Sequence, residues 1–279
     1  MRTWVLIVVA IAAVAVGSLT AQVPDAKELA QKGYNAFRDV LTGDEAKLPE
    51  AIRYMEEARA ADETYVPNLF NLARAYFFDA ITFNKAESVP KAETMFARVV
   101  ELDPTRMDAL SFHGAILAQL SGGNDMAMFM RGAQELKTAG EKAPKDITVL
   151  IVRSFVAQNL PPQALPFIGS TDLLGDLKFI GGAFDSFSSE FAPHAGVVMN
   201  AFIGEGYMMK GDKEQARASF EKALKADKPS DPGQLAGRAL LDKAIITRMG
   251  GGGKPVFEDD AFSGCHSCHL SAPEKLLAR

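Results

Sequence analysis

The sequence predicts an all-α fold of stacked helical hairpins, closed by a short C-terminal tail. Three observations lead to it. Apolar residues recur at helical spacing almost throughout from Asp25 to about Met249. Within that stretch the same succession of large and small residues returns several times. Four consecutive glycines, Gly250 to Gly253, then separate the periodic part from a tail that holds both cysteines of the 279-residue chain.

Residues 1–21 read as an export signal: Arg2 supplies a positive start, and an uncharged apolar run extends from Trp4 to Val16 before small residues that allow cleavage after Gly17 or Ala21. No cysteine lies near those positions, which argues against a lipoprotein. The uncharged stretch reaches Pro24, close to the lower limit of a membrane span, so an uncleaved anchor is the other reading. The expected location is the periplasmic or extracellular side, with membrane attachment only if the segment is retained.

The body, residues 22–249, begins with a degenerate pair of helices at Ala26 to Leu41 and Leu48 to Ala60, carrying Gly33, Ala51, Met55 and Ala58. Next come Leu69, Leu72, Ala73 and Tyr76, followed by Ala92, Phe96, Val99 and Pro104. The order repeats in Leu110, His113, Gly114 and Leu117, then Gly132, Leu136, Ala139 and Pro144. It returns most clearly in Ile203, Gly204 and Tyr207, then Ala216, Phe220 and Ala223, with Gly211-Asp212-Lys213-Glu214-Gln215-Ala216 between them. These segments resemble tetratricopeptide (TPR) repeats, in which small residues let two antiparallel helices approach and aromatic residues fill the space between pairs. The resemblance implies a solenoid, because each pair buries its apolar face only against its neighbours, and a concave groove suited to protein partners. Extra residues at Ala80 to Pro90 and Ser121 to Asp125 depart from the pattern, as longer helices or as loops.

Between 147 and 190 the pattern is irregular. Helices are expected at Ile147 to Gln158 and Pro162 to Ile168, but Pro161, Pro162, Pro166, Gly169, Gly175, Gly181 and Gly182 interrupt the periodicity. The Phe-rich stretch Phe179 to Phe191 is either a buried connection or an exposed contact surface. A last helix, Pro232 to Met249, carries Leu235, Ala239, Leu241, Ile245 and Ile246 and is expected to cap the stack.

Residues 250–279 form a glycine hinge and a tail with the sequence Cys265-His266-Ser267-Cys268-His269. Two intervening residues make about one turn, so both sulfurs lie on the same side. This C-x-x-C-H pattern resembles the attachment site of c-type cytochromes, which implies one covalent haem c, with Cys265 and Cys268 as thioether anchors and His269 as the axial iron ligand. A reversible dithiol of thioredoxin type belongs in a strand-turn-helix context that this tail lacks. A zinc site made of Cys265, His266, Cys268 and His269 is too cramped for a tetrahedron, and a disulfide across so short a loop would add little stability. The resemblance covers the attachment motif alone, since the tail is too short to wrap a haem, and cover must come from the helical body or another chain. His113, His194 and Met249 are the candidates for the second axial position: His113 stands where these repeats usually carry Leu, His194 lies at an expected helix start, and Met249 is nearest in sequence.

A formal charge of -5 and the absence of a long Lys/Arg block argue against nucleic acid or an anionic membrane surface as partner. Both cysteines fall in one motif, so no disulfide framework is available and packing must stabilise the body. No Ser/His/Asp arrangement, phosphate loop or paired carboxylates stand in a recognisable context. Three functional classes follow: an exported electron-transfer subunit docking to proteins, a TPR adaptor with a structural haem tail, and peroxidase-like chemistry at an open iron position.

Overall fold

The computed structural model describes residues 25–41, 44–122, 124–186, 195–226, 228 and 232–256, and every regular element among them is helical. The export segment, the Cys265 to His269 motif and His194 lie outside the described residues. The α-helices are α1 (Ala26–Leu41), α2 (Leu48–Ala61), α3 (Val66–Thr82), α4 (Ser88–Leu102), α5 (Met107–Leu120) and α6 (Met126–Lys142), then α7 (Ile147–Gln158), α8 (Leu173–Ser186), α9 (Ala195–Met209), α10 (Lys213–Lys225) and α11 (Pro232–Met249). Among the described residues, no helix is long and apolar enough to cross a membrane.

Local chemistry sets the helix boundaries. Asp125, Asp146 and Asp212 each accept, through a side-chain oxygen, the backbone N–H three residues on, and so cap the N-termini of α6, α7 and α10. Two inter-helix turns share one construction: Asp62 accepts from the backbone and hydroxyl of Thr64, and Asp103 does the same for Thr105. Pro49 and Pro67 fall in the first turns of α2 and α3, where no intrahelical N–H is needed.

The closest helix pairs are α1 with α2, α3 with α4, α5 with α6 and α9 with α10; α2 then packs on α3, and α4 on α5. At the α5–α6 crossing the backbones touch. A Cβ on Gly114 would lie 2.6 Å from the carbonyl oxygen of Gly132, and one on Gly132 would collide with that of Gly114, so both positions require glycine. Phe96 and Phe112 stack with centroids 4.9 Å apart, and Phe70 and Phe77 meet this pair edge-on. Phe96 and Phe220 are fully buried, as expected of the large positions, whereas Tyr207 is half-buried. One continuous apolar core runs from Ala36 to Val256.

The irregular stretch differs from expectation in two ways. Pro162–Ile168 forms a 3-10 helix, because Pro166 lacks the N–H an α-helix needs there, and Gly169 at φ 70° stops it. The glycines at 175, 181 and 182 do not break α8, since packing against both α7 and α9 outweighs their poor helix propensity. Phe179 is 46 % exposed, while its neighbour Ile180 joins Leu150, Ile151 and Met199 in a second, smaller core. Of the two insertions, the first is part helix and part loop, since α3 runs on to Thr82 and α4 begins at Ser88. The second begins as a turn immediately after α5.

Candidate functional site

The ends of the helices decide where a C-terminal tail can be presented. Arg153 of α7 pairs with Asp176 of α8 at 2.7 Å, and Leu150 and Ile151 meet Ile180, so α7 and α8 are antiparallel. Ile180 packs with Met199, and Lys210, just past α9, bonds Asp172, just before α8, at 2.8 Å, so α8 and α9 are antiparallel as well. The C-terminal ends of α7 and α9 therefore lie on the same edge of the molecule.

The chain leaves α11 at that edge. Gly252 donates to the carbonyl of Thr247 and Gly251 to that of Arg248, with Gly251 at φ 80°, which is the glycine-stopped helix end of Schellman type. The chain then turns back on the body. Val256 is fully buried, and its backbone N–H donates to Oε1 of Glu205 at 2.7 Å. Arg248 Nε donates to both oxygens of the same carboxylate at 3.1 Å. Glu205 is 1 % exposed, so two donors satisfy a buried charge that would otherwise be costly. Met249, a candidate for the second axial position, is partly buried against the main core.

His113, another such candidate, has both ring nitrogens occupied. Nδ1 lies 2.6 Å from Oε2 of Glu135 on α6, and Nε2 lies 3.3 Å from Oε1 of Glu93 on α4. Burial disfavours the imidazolium, but the two carboxylates outweigh it and raise the pKa of His113 above its ordinary value. Binding an iron here would mean replacing one of the carboxylates. Among the described residues, no group of three or more His, Cys, Asp or Glu side chains is disposed to hold a metal ion.

A cavity of about 450 Å³ opens between the C-terminal halves of α3, α5 and α7. Phe77, Ile81, Phe129 and Phe155 form its apolar walls, and Asn84, Gln119 and Asn159 contribute amides. Its lining carries no ionisable side chain. That composition suits a flat apolar group and offers no counter-charge to a phosphate or a bare cation. Phe83, Leu120 and Met126 stand exposed where α3 and α5 end and α6 begins.

Neither Glu205 nor the cavity is evident from periodicity. Glu205 did leave a trace, as the lone charge in the apolar helix Ala195–Met209. Of the extra residues, Ala80, Ile81 and Asn84 of the first insertion line the cavity, but they do not disclose it, because its other walls come from separate helices. The chain matches no protein-family model and no curated protein sequence.

Proposed function

We propose that the chain is an exported monohaem c-type cytochrome subunit, in which a TPR-like helical scaffold docks to protein partners and presents one covalent haem c for electron transfer. Cys265, Cys268 and His269 carry the reading: the chain spends both of its cysteines on one C-x-x-C-H motif, with the histidine in the ligand position. The haem would supply one-electron exchange at its iron, and the protein would supply attachment, one axial ligand and a docking surface. The TPR-like part is supported by the succession of close hairpins, by the glycine contact at 114 and 132, and by second helices that pack on the following pair. Presentation of the tail is supported by the Glu205 contacts, which tie the chain to the body as far as Val256.

The test is export of the full chain together with a cytochrome c maturation system, followed by denaturing electrophoresis and haem staining. A stained band that disappears in the Cys265→Ser/Cys268→Ser variant is expected; its absence from the wild type sinks the reading. Absorption spectra of both redox states, with and without carbon monoxide, then separate a six-coordinate carrier from an iron open to peroxidase-like chemistry. The TPR adaptor remains the second reading, favoured by the apolar cavity, and partner binding that survives loss of the two cysteines with all activity intact would support it.

A further inference from the structure

We infer that the cavity between α3, α5 and α7 is the intramolecular seat of the haem carried by the chain's own tail, residues 257–279. The inference rests on the c-type reading and answers what that reading leaves open, namely which part of the protein covers the haem.

Position is the first argument. The tail departs from Val256, which is fixed to Glu205 near the C-terminal end of α9. The C-terminal ends of α7 and α9 share an edge, and the cavity opens beside the last turn of α7 at Phe155 and Asn159. Packed helices lie about 8–10 Å apart, so the single intervening helix α8 puts α7 roughly 20 Å from α9. Nine residues lead from Val256 to Cys265, and an extended chain of that length reaches up to about 30 Å. The cavity lies on the far side of α7 from α8, so the extended segment brings the attachment motif to its mouth with little length to spare.

Chemistry is the second argument. The cavity falls within the roughly 300–1,000 Å³ range of sites that take small cofactors. Its aromatic walls can stack on a macrocycle, and its amide N–H groups can donate to the propionate oxygens of a haem without neutralising them. A tail tethered this closely experiences a high effective concentration at the cavity, which favours it over a separate molecule with the same apolar face. The exposed Phe83, Leu120 and Met126 along the same edge gain cover from the tail segments on either side of the motif.

The test uses the full-length holoprotein. Gln119→Lys puts a cation at the cavity on an exposed side chain, where it leaves the fold undisturbed. Gln134→Lys puts the same charge on an exposed position of α6 away from the cavity. A cation beside the haem favours the ferrous state, so Gln119→Lys is expected to raise the reduction potential measurably while Gln134→Lys leaves it unchanged. Ala118→Trp fills the cavity, and in protein that still melts cooperatively it is expected to speed carbon monoxide binding to the ferrous haem severalfold. If covalent haem is present and both lysine variants have the wild-type potential, the seat is elsewhere and the inference fails while the c-type reading stands. The inference is also overturned if Ala118→Trp leaves ligand binding unchanged but abolishes a concentration-dependent dimer, which would assign the cavity to a second copy. If no covalent haem forms in the wild type, the c-type reading itself fails.

Discussion

Val256 gives its backbone N–H to Glu205 across fifty-one positions of sequence, at 2.7 Å, and Arg248 closes on the same carboxylate from α11. The contact joins three parts of the chain: the C-terminal half of α9, the end of α11, and the arm beyond the glycine stop. Removing the carboxylate leaves a partly buried guanidinium and a buried N–H without an acceptor. Glu205→Ala is expected to cost about 3 kcal/mol, because breaking one side of a buried ion pair strands the other. Glu205→Gln retains an acceptor for Val256 and is expected to cost about half as much. Urea unfolding measures both, and limited proteolysis after Lys254 should accelerate in the alanine variant before the body unfolds.

The backbone contact between α5 and α6 separates two kinds of glycine. Gly114→Ala drives a methyl into the Gly132 carbonyl and is expected to cost about 2 kcal/mol or more, in the manner of an overpacked core. Gly182 lies inside α8, and a methyl there would meet nothing within 4 Å. Gly182→Ala is accordingly expected to stabilise by about 0.5–1 kcal/mol through the better helix propensity of alanine. Thermal unfolding of the two variants against wild type gives opposite signs if the packing is as described.

Helical periodicity made the all-α class and the limits of α1, α7 and α11 legible, since each carries an apolar stripe between recognisable stops. That Gly114 allows a close approach of two helices was legible too, although its partner Gly132 emerges only from the packing. The 3-10 character of Pro162–Ile168 was not. Proline signals interruption without saying which tighter helix replaces the α-helix. The partners of Glu205 and the walls of the cavity were illegible for a different reason, as they join residues from separate helices and depend on how the hairpins stack. His113 stood out in its repeat, but the carboxylates that hold it lie twenty and twenty-two positions away on either side.

Gln158 is 5 % exposed, and both its amide nitrogen and amide oxygen lack a hydrogen-bond partner among the described residues. A buried amide in that condition has given up its water and gained nothing in return. Gln158→Met keeps the length and flexibility of the side chain while removing the polar atoms, and is expected to raise stability by about 1 kcal/mol. Denaturant unfolding with an unchanged m-value would register the gain. A loss of similar size would instead reveal a bound water or ligand as the amide's partner.

His113 makes stability depend on pH, with a sign fixed by geometry. Its imidazolium sits between Glu135 at 2.6 Å and Glu93 at 3.3 Å, and although burial opposes the charge, the carboxylates raise its pKa in the folded state. The unfolded chain binds the same proton near the ordinary value of 6.5. The folded state therefore holds the proton more tightly, and the stabilisation is fully present below about pH 6.5. It is lost as the pH rises through the raised folded value, where a neutral ring can donate to only one of the two carboxylates and the other faces a lone pair. His113→Gln should flatten the pH dependence of the melting temperature over that interval and lower the melting temperature most at the acidic end, where the imidazolium contributes fully. If wild type and variant run parallel from pH 6 to pH 9, the proton on His113 does not stabilise the α4–α5–α6 junction.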